Sequence, residues 1–126
     1  MLKRIITICD CIVMILLAIY AVLFCIPTLF GIKPVNVLSG SMEPYIPTGS
    51  IAYVKAMDLD KIHKDDVIAF ELDNGSLVLH RVKEISPEND ITTQGDANDN
   101  EDFATVREEQ LRGKMIFRIP YAGTVY

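Results

Sequence analysis

The sequence predicts a mainly β fold, a compact antiparallel sheet or partial barrel preceded by one N-terminal transmembrane helix. The run from Cys11 to Phe30 contains no charged residue. At about 1.5 Å per helical residue it spans about 30 Å, the thickness of a membrane's hydrocarbon core. Beyond Lys33, short apolar segments alternate with turn residues, without a sustained 3.6-residue period. We therefore expect residues 1–32 to form a cytoplasmic tip and membrane anchor, and residues 33–126 to form one extracytoplasmic domain.

The apolar N-terminal segment is interpreted as a permanent anchor rather than a cleaved secretory signal. A signal's apolar core is usually about 7–15 residues long and precedes small residues at a cleavage site. This run is longer, and its exit at residues 25–31 contains no Ala-x-Ala pattern. The positive-inside rule keeps Lys3 and Arg4 in the cytoplasm, which places the domain on the other side of the membrane. Asp10 lies near the cytoplasmic end, where its carboxylate can reach water or headgroups.

The domain after the anchor is acidic and contains no cysteine. From residue 33 onwards it has ten Lys or Arg and sixteen Asp or Glu, a net charge of −6. We do not expect nucleic-acid binding, because that needs basic surface to displace counterions. The three cysteines, Cys9, Cys11 and Cys25, fall within or beside the anchor. The domain therefore uses no disulfide, no thiol nucleophile and no cysteine-based zinc site.

The predicted strands follow one another through the domain, each bounded by turn residues. They cover residues 35–38, 50–55, 67–72, 76–85, 91–94 and 113–119, with a helical turn over 106–111. Asp73-Asn74-Gly75 is typical of a hairpin turn, and residues 95–103 are expected to form a polar loop. Strands of this length and spacing indicate an antiparallel sheet or partial barrel.

A serine close to the membrane is the first candidate for chemistry. Ser41 lies in Ser39-Gly40-Ser41-Met42-Glu43-Pro44, about ten residues after the anchor. At about 3.3 Å per extended residue, the chain from Phe30 to Ser41 reaches at most about 36 Å. We therefore expect the Ser41 hydroxyl to work at or near the membrane surface, and Met42 to help an apolar face rest on lipid.

His80 is the candidate general base. The other histidine, His63, lies in a charged stretch that indicates an exposed turn, whereas His80 interrupts an apolar strand. Burying an ionisable ring there has a cost that a partner must offset. On a period of two, His80 shares a face with Val78 and Val82. Most such histidines are satisfied core or edge residues, but a serine nucleophile needs a base within hydrogen-bond reach.

A histidine base needs a group that fixes its tautomer, and the polar loop supplies candidates. Its carboxylates are Asp96, Asp99, Glu101 and Asp102. The alternatives are a solvated turn or a calcium loop, whose Asp-x-Asn-x-Asn start the loop also contains. Glu101 occupies the position where the calcium motif requires glycine, so calcium is not expected. The residues alone leave the choice of carboxylate open.

Three segments together resemble the signature boxes of type I signal peptidases. They are Ser-Gly-Ser-Met-Glu-Pro at 39–44, Leu-His-Arg-Val at 79–82 and Gly-Asp-Ala-Asn at 95–98. Their order and spacing also resemble the family, and the resemblance covers almost the whole chain. The common bacterial branch carries lysine where this chain has His80. Histidine there resembles the branch typical of the endoplasmic reticulum, archaea and some Gram-positive bacteria.

This resemblance implies a serine endopeptidase that removes signal peptides from preproteins, without a metal or cofactor. Ser41 matches the family's nucleophile and His80 its general base. Asp102 resembles the orienting carboxylate of this branch, and Asp96 is the second candidate, favoured for shaping the loop. Asp99 is a weaker one.

The resemblance also implies how substrate binds and where the protein works. Ser39 matches a position whose hydroxyl helps to stabilise the oxyanion, together with the backbone N–H of Ser41. The cleavage site is expected to bind as an added β-strand, its small residues filling pockets with walls at Val37, Leu38 and Ile51. The implied partners are preproteins with signal peptides and membrane lipid, and additional subunits remain open. The expected location is the cell membrane, or the endoplasmic-reticulum membrane in a eukaryote.

Two departures and two alternatives accompany this interpretation. Gly49-Ser50 stands where relatives often have Gly-Asp, and Asp65-Asp66-Val67 where they often have Gly-Asp-Val. Many relatives also continue into a second membrane helix.

One alternative is a non-catalytic, membrane-anchored β module that binds exported peptides. The other is a self-cleaving repressor with the same sheet, but those proteins are cytosolic and use lysine, so the anchor and His80 count against it.

Overall fold

A long helix fills the first of the two units into which the chain divides, Met1–Lys33 and Pro34–Tyr126. The structure is a computed structural model and describes residues 1–123. The helix begins as α1, Leu2–Tyr20, passes through a π-helical turn at Ala21–Cys25 and ends as α2, Ile26–Leu29. The 28 residues Leu2–Leu29 are long and apolar enough to cross a membrane once, as in a single-pass membrane protein. Pro27 lies in the first turn of α2, directly after the π-helical turn, and has no N–H to donate within the helix.

Within the described residues, the second unit is built on one six-stranded sheet. Its strands are β1 (Ile32–Asn36), β2 (Ile51–Lys55), β3 (Val67–Glu71), β4 (Leu77–Ile85), β5 (Ile91–Gln94) and β6 (Leu111–Ile119). The order across the sheet is β1-β2-β6-β3-β4-β5. From β2 to β5, every neighbouring pair is antiparallel. The predicted mainly antiparallel β fold with one N-terminal apolar helix is confirmed.

The bounds of three predicted elements differ from the observed ones by two or more residues at one end, and the other strands differ by at most one residue. β1 covers Ile32–Asn36 rather than 35–38 and includes Pro34, which an edge strand tolerates because one of its sides needs no donor. β6 begins at Leu111 rather than at 113. The helical turn predicted over 106–111 is limited to a 3-10 turn at Glu108–Gln110. Its first residue, Val106, instead forms a β-bridge with Ile91.

The hydrophobic core lies in two clusters that β3 separates. Alternate residues of this strand face opposite sides, so Val67 and Ala69 join one cluster while Ile68 and Phe70 join the other. The first cluster also contains Met42, only 1% exposed, from the connection between β1 and β2. The expectation that Met42 rests on lipid is therefore wrong, because its side chain is part of the core. Its burial fixes the position of the adjacent Ser41.

Candidate active site

Ser41 lies in the connection between β1 and β2, which buried and hydrogen-bonded residues hold in place. Met42 and Ile46, which follow Ser41 in this connection, pack into the core. Glu43 Oε1 accepts hydrogen bonds from the backbone N–H of Thr48 at 3.1 Å and from its hydroxyl at 2.8 Å. These bonds, the backbone one foremost, lower the pKa of the Glu43 carboxyl. Ser41 itself is half-buried, and its Oγ lies 3.4 Å from the Ser39 Oγ.

β4 carries His80 near its middle, opposite Ile68 of β3, and the residue is 8% exposed. Its Nδ1 lies 2.5 Å from Asp102 Oδ2, and its ring meets Phe70 edge-on, with 6.2 Å between the centroids. Because an ionised carboxylate only accepts hydrogen bonds, Nδ1 is the donor. In the neutral ring, Nε2 is then the nitrogen with a free lone pair, which is the arrangement a general base needs.

The loop after β5 contains two aspartates that bind different partners. Asp102 returns to β5, where its backbone N–H donates to the Thr93 carbonyl at 2.8 Å and its Oδ2 accepts from the Thr93 hydroxyl at 2.7 Å. Asp96 instead accepts two hydrogen bonds from Arg81, at 2.8 Å and 2.7 Å. Of the two carboxylates proposed from the sequence, the fold brings Asp102 to His80 and Asp96 to Arg81. Asp99 is exposed in the same loop.

Arg81 connects the aspartate loop to the Ser41 connection. Its ion pair with Asp96 is mostly buried, with side chains 21% and 17% exposed. The hydrogen bonds from Arg81 hold the pKa of Asp96 below its ordinary value, and the same pairing raises the pKa of Arg81. Arg81 also donates to the Asp65 carbonyl at 2.8 Å, and its guanidinium lies 4.7 Å from the Tyr45 ring centroid. Arg118 of β6 lies over the same ring at 4.1 Å.

Gly95 is the point where the aspartate loop meets Ser41 and His80. A Cβ atom at this position would lie 2.5 Å from the Ser41 carbonyl oxygen and 3.1 Å from His80 Nε2. The backbone N–H of Ala97 donates to the same Ser41 carbonyl at 2.9 Å. Ser41 and His80 therefore border one small space, which a glycine leaves open and any other residue would fill.

A cavity of about 130 Å³ opens beside Ser41. Its lining includes Val37, Leu38 and Ser39, together with residues 77–79 from the start of β4. The pairing of β4 with β5 begins only at Arg81, so the first residues of β4 extend past that strand. Val37 and Leu38 border this cavity, and their role as walls of a substrate pocket stays a prediction. Ile51 is buried in β2 opposite Ile119 and outside this lining, so its role in the wall stays a prediction.

The sequence predicts no role for four parts of this site, which are Thr93, Arg81, Gly95 and the segment 77–79. The alternation of β5 could have suggested a buried Thr93, and Arg81 follows the candidate base directly. The partners of both residues depend on the path of an eight-residue loop, which spacing does not specify. Within residues 1–123, no three His, Cys, Asp or Glu side chains gather in a way that could hold a metal ion.

A serine beside a histidine that is hydrogen-bonded to an aspartate is the arrangement of serine hydrolases, here at the edge of an antiparallel sheet. The profile of the family "Signal peptidase, peptidase S26" matches residues 8–103, and the chain belongs to this family. The family predicted from the three sequence boxes is therefore confirmed. Signal peptidase I W of Bacillus subtilis (strain 168) is 41% identical over 99 residues, which cover 75% of this chain and 52% of that protein. The chain thus spans about half the length of this curated relative.

Proposed function

We propose that this chain is a membrane-anchored serine endopeptidase that removes signal peptides from preproteins. The observation that carries the proposal is the hydrogen bond between His80 Nδ1 and Asp102, which leaves Nε2 facing the space beside Gly95 and Ser41. Membership of the signal peptidase family supports the reaction class. The name of the Bacillus subtilis relative supports the same substrate class.

In the proposed reaction, Ser41 Oγ attacks the scissile carbonyl carbon while His80 Nε2 takes the hydroxyl proton. The tetrahedral intermediate then collapses, His80 passes that proton to the departing amine, and an ester on Ser41 remains. A water molecule gives a proton to His80 and attacks the ester carbonyl, and His80 then returns that proton to Ser41 Oγ as the acid is released. The first step requires the Ser41 hydroxyl to turn from Ser39 towards Nε2. Catalytic hydrogen bonds commonly tighten in this way when substrate binds.

The oxyanion of the intermediate is proposed to bind the Ser39 hydroxyl and the backbone N–H of Ser41. Support comes from the 3.4 Å between the two serine Oγ atoms, since a carbonyl attacked by one lies close to the other. Such donors contribute most when they are fixed before the reaction. The core packing of Met42 and the Glu43–Thr48 hydrogen bonds supply that rigidity.

The substrate is proposed to add as a strand along residues 77–79 of β4, between them and the Val37–Ser39 segment. Strand addition uses main-chain hydrogen bonds for affinity and alternate side-chain pockets for specificity. The cavity beside Ser41, at about 130 Å³, is far below the size of drug-sized ligand pockets, about 300–1,000 Å³. Small residues are therefore expected next to the cleaved bond.

The domain is proposed to lie on the extracytoplasmic side of a cell membrane, or of the endoplasmic-reticulum membrane in a eukaryote. Lys3 and Arg4 before the helix favour a cytoplasmic N-terminus by the positive-inside rule. The substrate would then be a preprotein whose signal helix occupies the same bilayer. The net charge of −6 from residue 33 onwards keeps most of the domain surface solvated and away from anionic lipid.

Cleavage of a labelled preprotein in detergent micelles tests this function. Ser41→Ala should lower the rate at least about 1,000-fold, because the nucleophile is lost. Thr105→Ala is the matched control, since Thr105 is an exposed hydroxyl residue outside the cavity lining. Circular dichroism verifies that both variants are folded. Equal cleavage by wild type and Ser41→Ala would exclude Ser41 catalysis and favour the non-catalytic binding module.

A further inference from the structure

Thr93 is a fully buried polar residue directly behind the His80–Asp102 pair. Its exposure is 0%, and its hydroxyl donates to Asp102 Oδ2 at 2.7 Å. That oxygen is the one that also accepts from His80 Nδ1. The Thr93 carbonyl accepts the backbone N–H of Asp102 at 2.8 Å. Thr93 therefore contacts Asp102 at both its backbone and its side chain.

These two contacts fix the orientation of the Asp102 carboxylate. Asp102 lies at the end of an eight-residue excursion from β5, and its side chain is 23% exposed. A carboxylate held only by its hydrogen bond to an imidazole can still rotate about its Cβ–Cγ bond. A second, charge-assisted hydrogen bond to the same oxygen from a rigid strand restricts that rotation. The imidazole is then held in one orientation with the proton on Nδ1.

We propose that Thr93 is a positioning residue that holds Asp102, and through it His80, in the geometry of the reaction. This inference rests on the proposed function. Packing alone would not require a hydroxyl here, since valine has nearly the same shape and would fill the same buried space. The hydroxyl is therefore expected to fix the geometry of Asp102 rather than to fill the core.

The chain contains a matched control for this position. Thr92 is the preceding residue of β5, so its side chain points to the opposite face of the strand, and it is half-buried. Thr93→Val and Thr92→Val thus remove the same hydroxyl at neighbouring positions. A second pair is Thr93→Ser and Thr93→Ala. Both variants lack the threonine methyl group, but only the serine variant keeps a hydroxyl. This pair decides the question if Thr93→Val does not fold.

The first measurement is proton NMR of the histidine ring N–H groups in detergent micelles. The chain has two histidines, and the His63 side chain is 75% exposed, so a slowly exchanging ring signal belongs to His80. His63→Gln confirms the assignment. The Nδ1–H signal should persist in wild type, Thr92→Val and Thr93→Ser. It should shift or be lost in Thr93→Val and Thr93→Ala.

The second measurement is cleavage of a labelled preprotein by the same variants. Thr93→Val should lower kcat about 10- to 100-fold with KM nearly unchanged, the range that corresponds to one charge-assisted hydrogen bond. Thr93→Ser should keep most of the activity, and Thr92→Val should match wild type. The proposal is overturned if the folded Thr93→Val protein cleaves like Thr92→Val, or if its His80 signal is unchanged. Absence of cleavage by wild type would count against the proposed function, while the NMR signal would still decide whether Thr93 positions His80.

Discussion

Arg81 binds both carboxylate oxygens of Asp96, while the preceding residue, His80, binds Asp102 from the same loop. The two consecutive residues of β4 point to opposite faces of the strand. One loop therefore attaches to both faces of β4 at a single step along the chain. Under the proposed function, Asp102 orients the base and Asp96 fixes the loop.

The Arg81–Asp96 pair predicts a specific dependence of stability on pH. Because Arg81 lowers the pKa of Asp96 below its ordinary value of 3.8, the folded protein favours the ionised carboxylate. The resulting stabilisation is present above the unfolded pKa of about 3.9 and is lost as the pH falls through the lower folded pKa. Asp96→Asn should cost about 1–3 kcal/mol at pH 7, since it leaves a mostly buried guanidinium without its ionic partner.

Thermal unfolding of wild type and Asp96→Asn between pH 2 and pH 7 checks this prediction. The difference in Tm should be largest near neutral pH and should shrink as the pH falls below about 3.9. Asp99→Asn is the control, because Asp99 is exposed in the same loop. A difference in Tm that stays constant from neutral to acidic pH would contradict the electrostatic origin of the effect.

Gly95→Ala should impair catalysis more than stability. The added methyl would lie 2.5 Å from the Ser41 carbonyl oxygen, a backbone atom in a connection that the core holds rigid. The loop and the Ser41 connection must then separate, and a displacement of about 1 Å can cost roughly 100-fold in rate. Steady-state cleavage kinetics measure the loss.

Gly75→Ala separates this effect from general backbone strain. Gly75 has a φ of 82° in the turn before β4, and nothing lies within 4 Å of a Cβ there. This control should lower stability by about 1 kcal/mol through its positive φ while cleavage persists. If Gly95→Ala retained full activity, the close approach of the loop to Ser41 would be unnecessary for the reaction.

Tyr45 should stabilise the Ser41 connection through its aromatic face rather than its hydroxyl. The guanidinium groups of Arg81 and Arg118 lie 4.7 Å and 4.1 Å from its ring centroid. Tyr45→Phe keeps both cation–π contacts, so its stability should stay within about 0.5 kcal/mol of wild type, whereas Tyr45→Leu should lose about 1–2 kcal/mol. Urea unfolding of the two variants measures the difference. Equal stability of the leucine and phenylalanine variants would show that the ring contacts contribute little.

The sequence predicts most of the sheet because local signals mark its strands. Asp73-Asn74-Gly75 forms the predicted turn, with Gly75 at positive φ, and β4 follows it within one residue of the predicted start. The errors occur where tertiary pairing decides the element. Val106 bridges to Ile91 instead of starting a helical turn, and β1 extends back through Pro34 because it lies at the edge of the sheet.

The candidate site is predictable in its chemistry but only partly in its geometry. Ser41 stands out because it follows the membrane anchor closely, and His80 because it is an ionisable residue inside an apolar strand. The choice between Asp96 and Asp102 depends on which of them returns to β5 and which meets Arg81, and an acidic loop contains no local signal for that. The burial of Met42 is hidden for a similar reason, because an apolar residue beside a polar turn can face either the core or the surface.

The cleavage rates of Asp102→Asn and Asp96→Asn decide which of the two aspartates orients His80. Both variants should be compared at a temperature where circular dichroism shows them folded. Asp102→Asn should lower kcat about 1,000- to 10,000-fold, since the amide N–H can donate to Nδ1 and favour the wrong tautomer of the imidazole. Asp96→Asn should stay within about tenfold of wild type, because Asp96 binds Arg81 rather than the base. A larger loss of kcat in Asp96→Asn than in Asp102→Asn would contradict the assignment of Asp102 as the residue that orients His80.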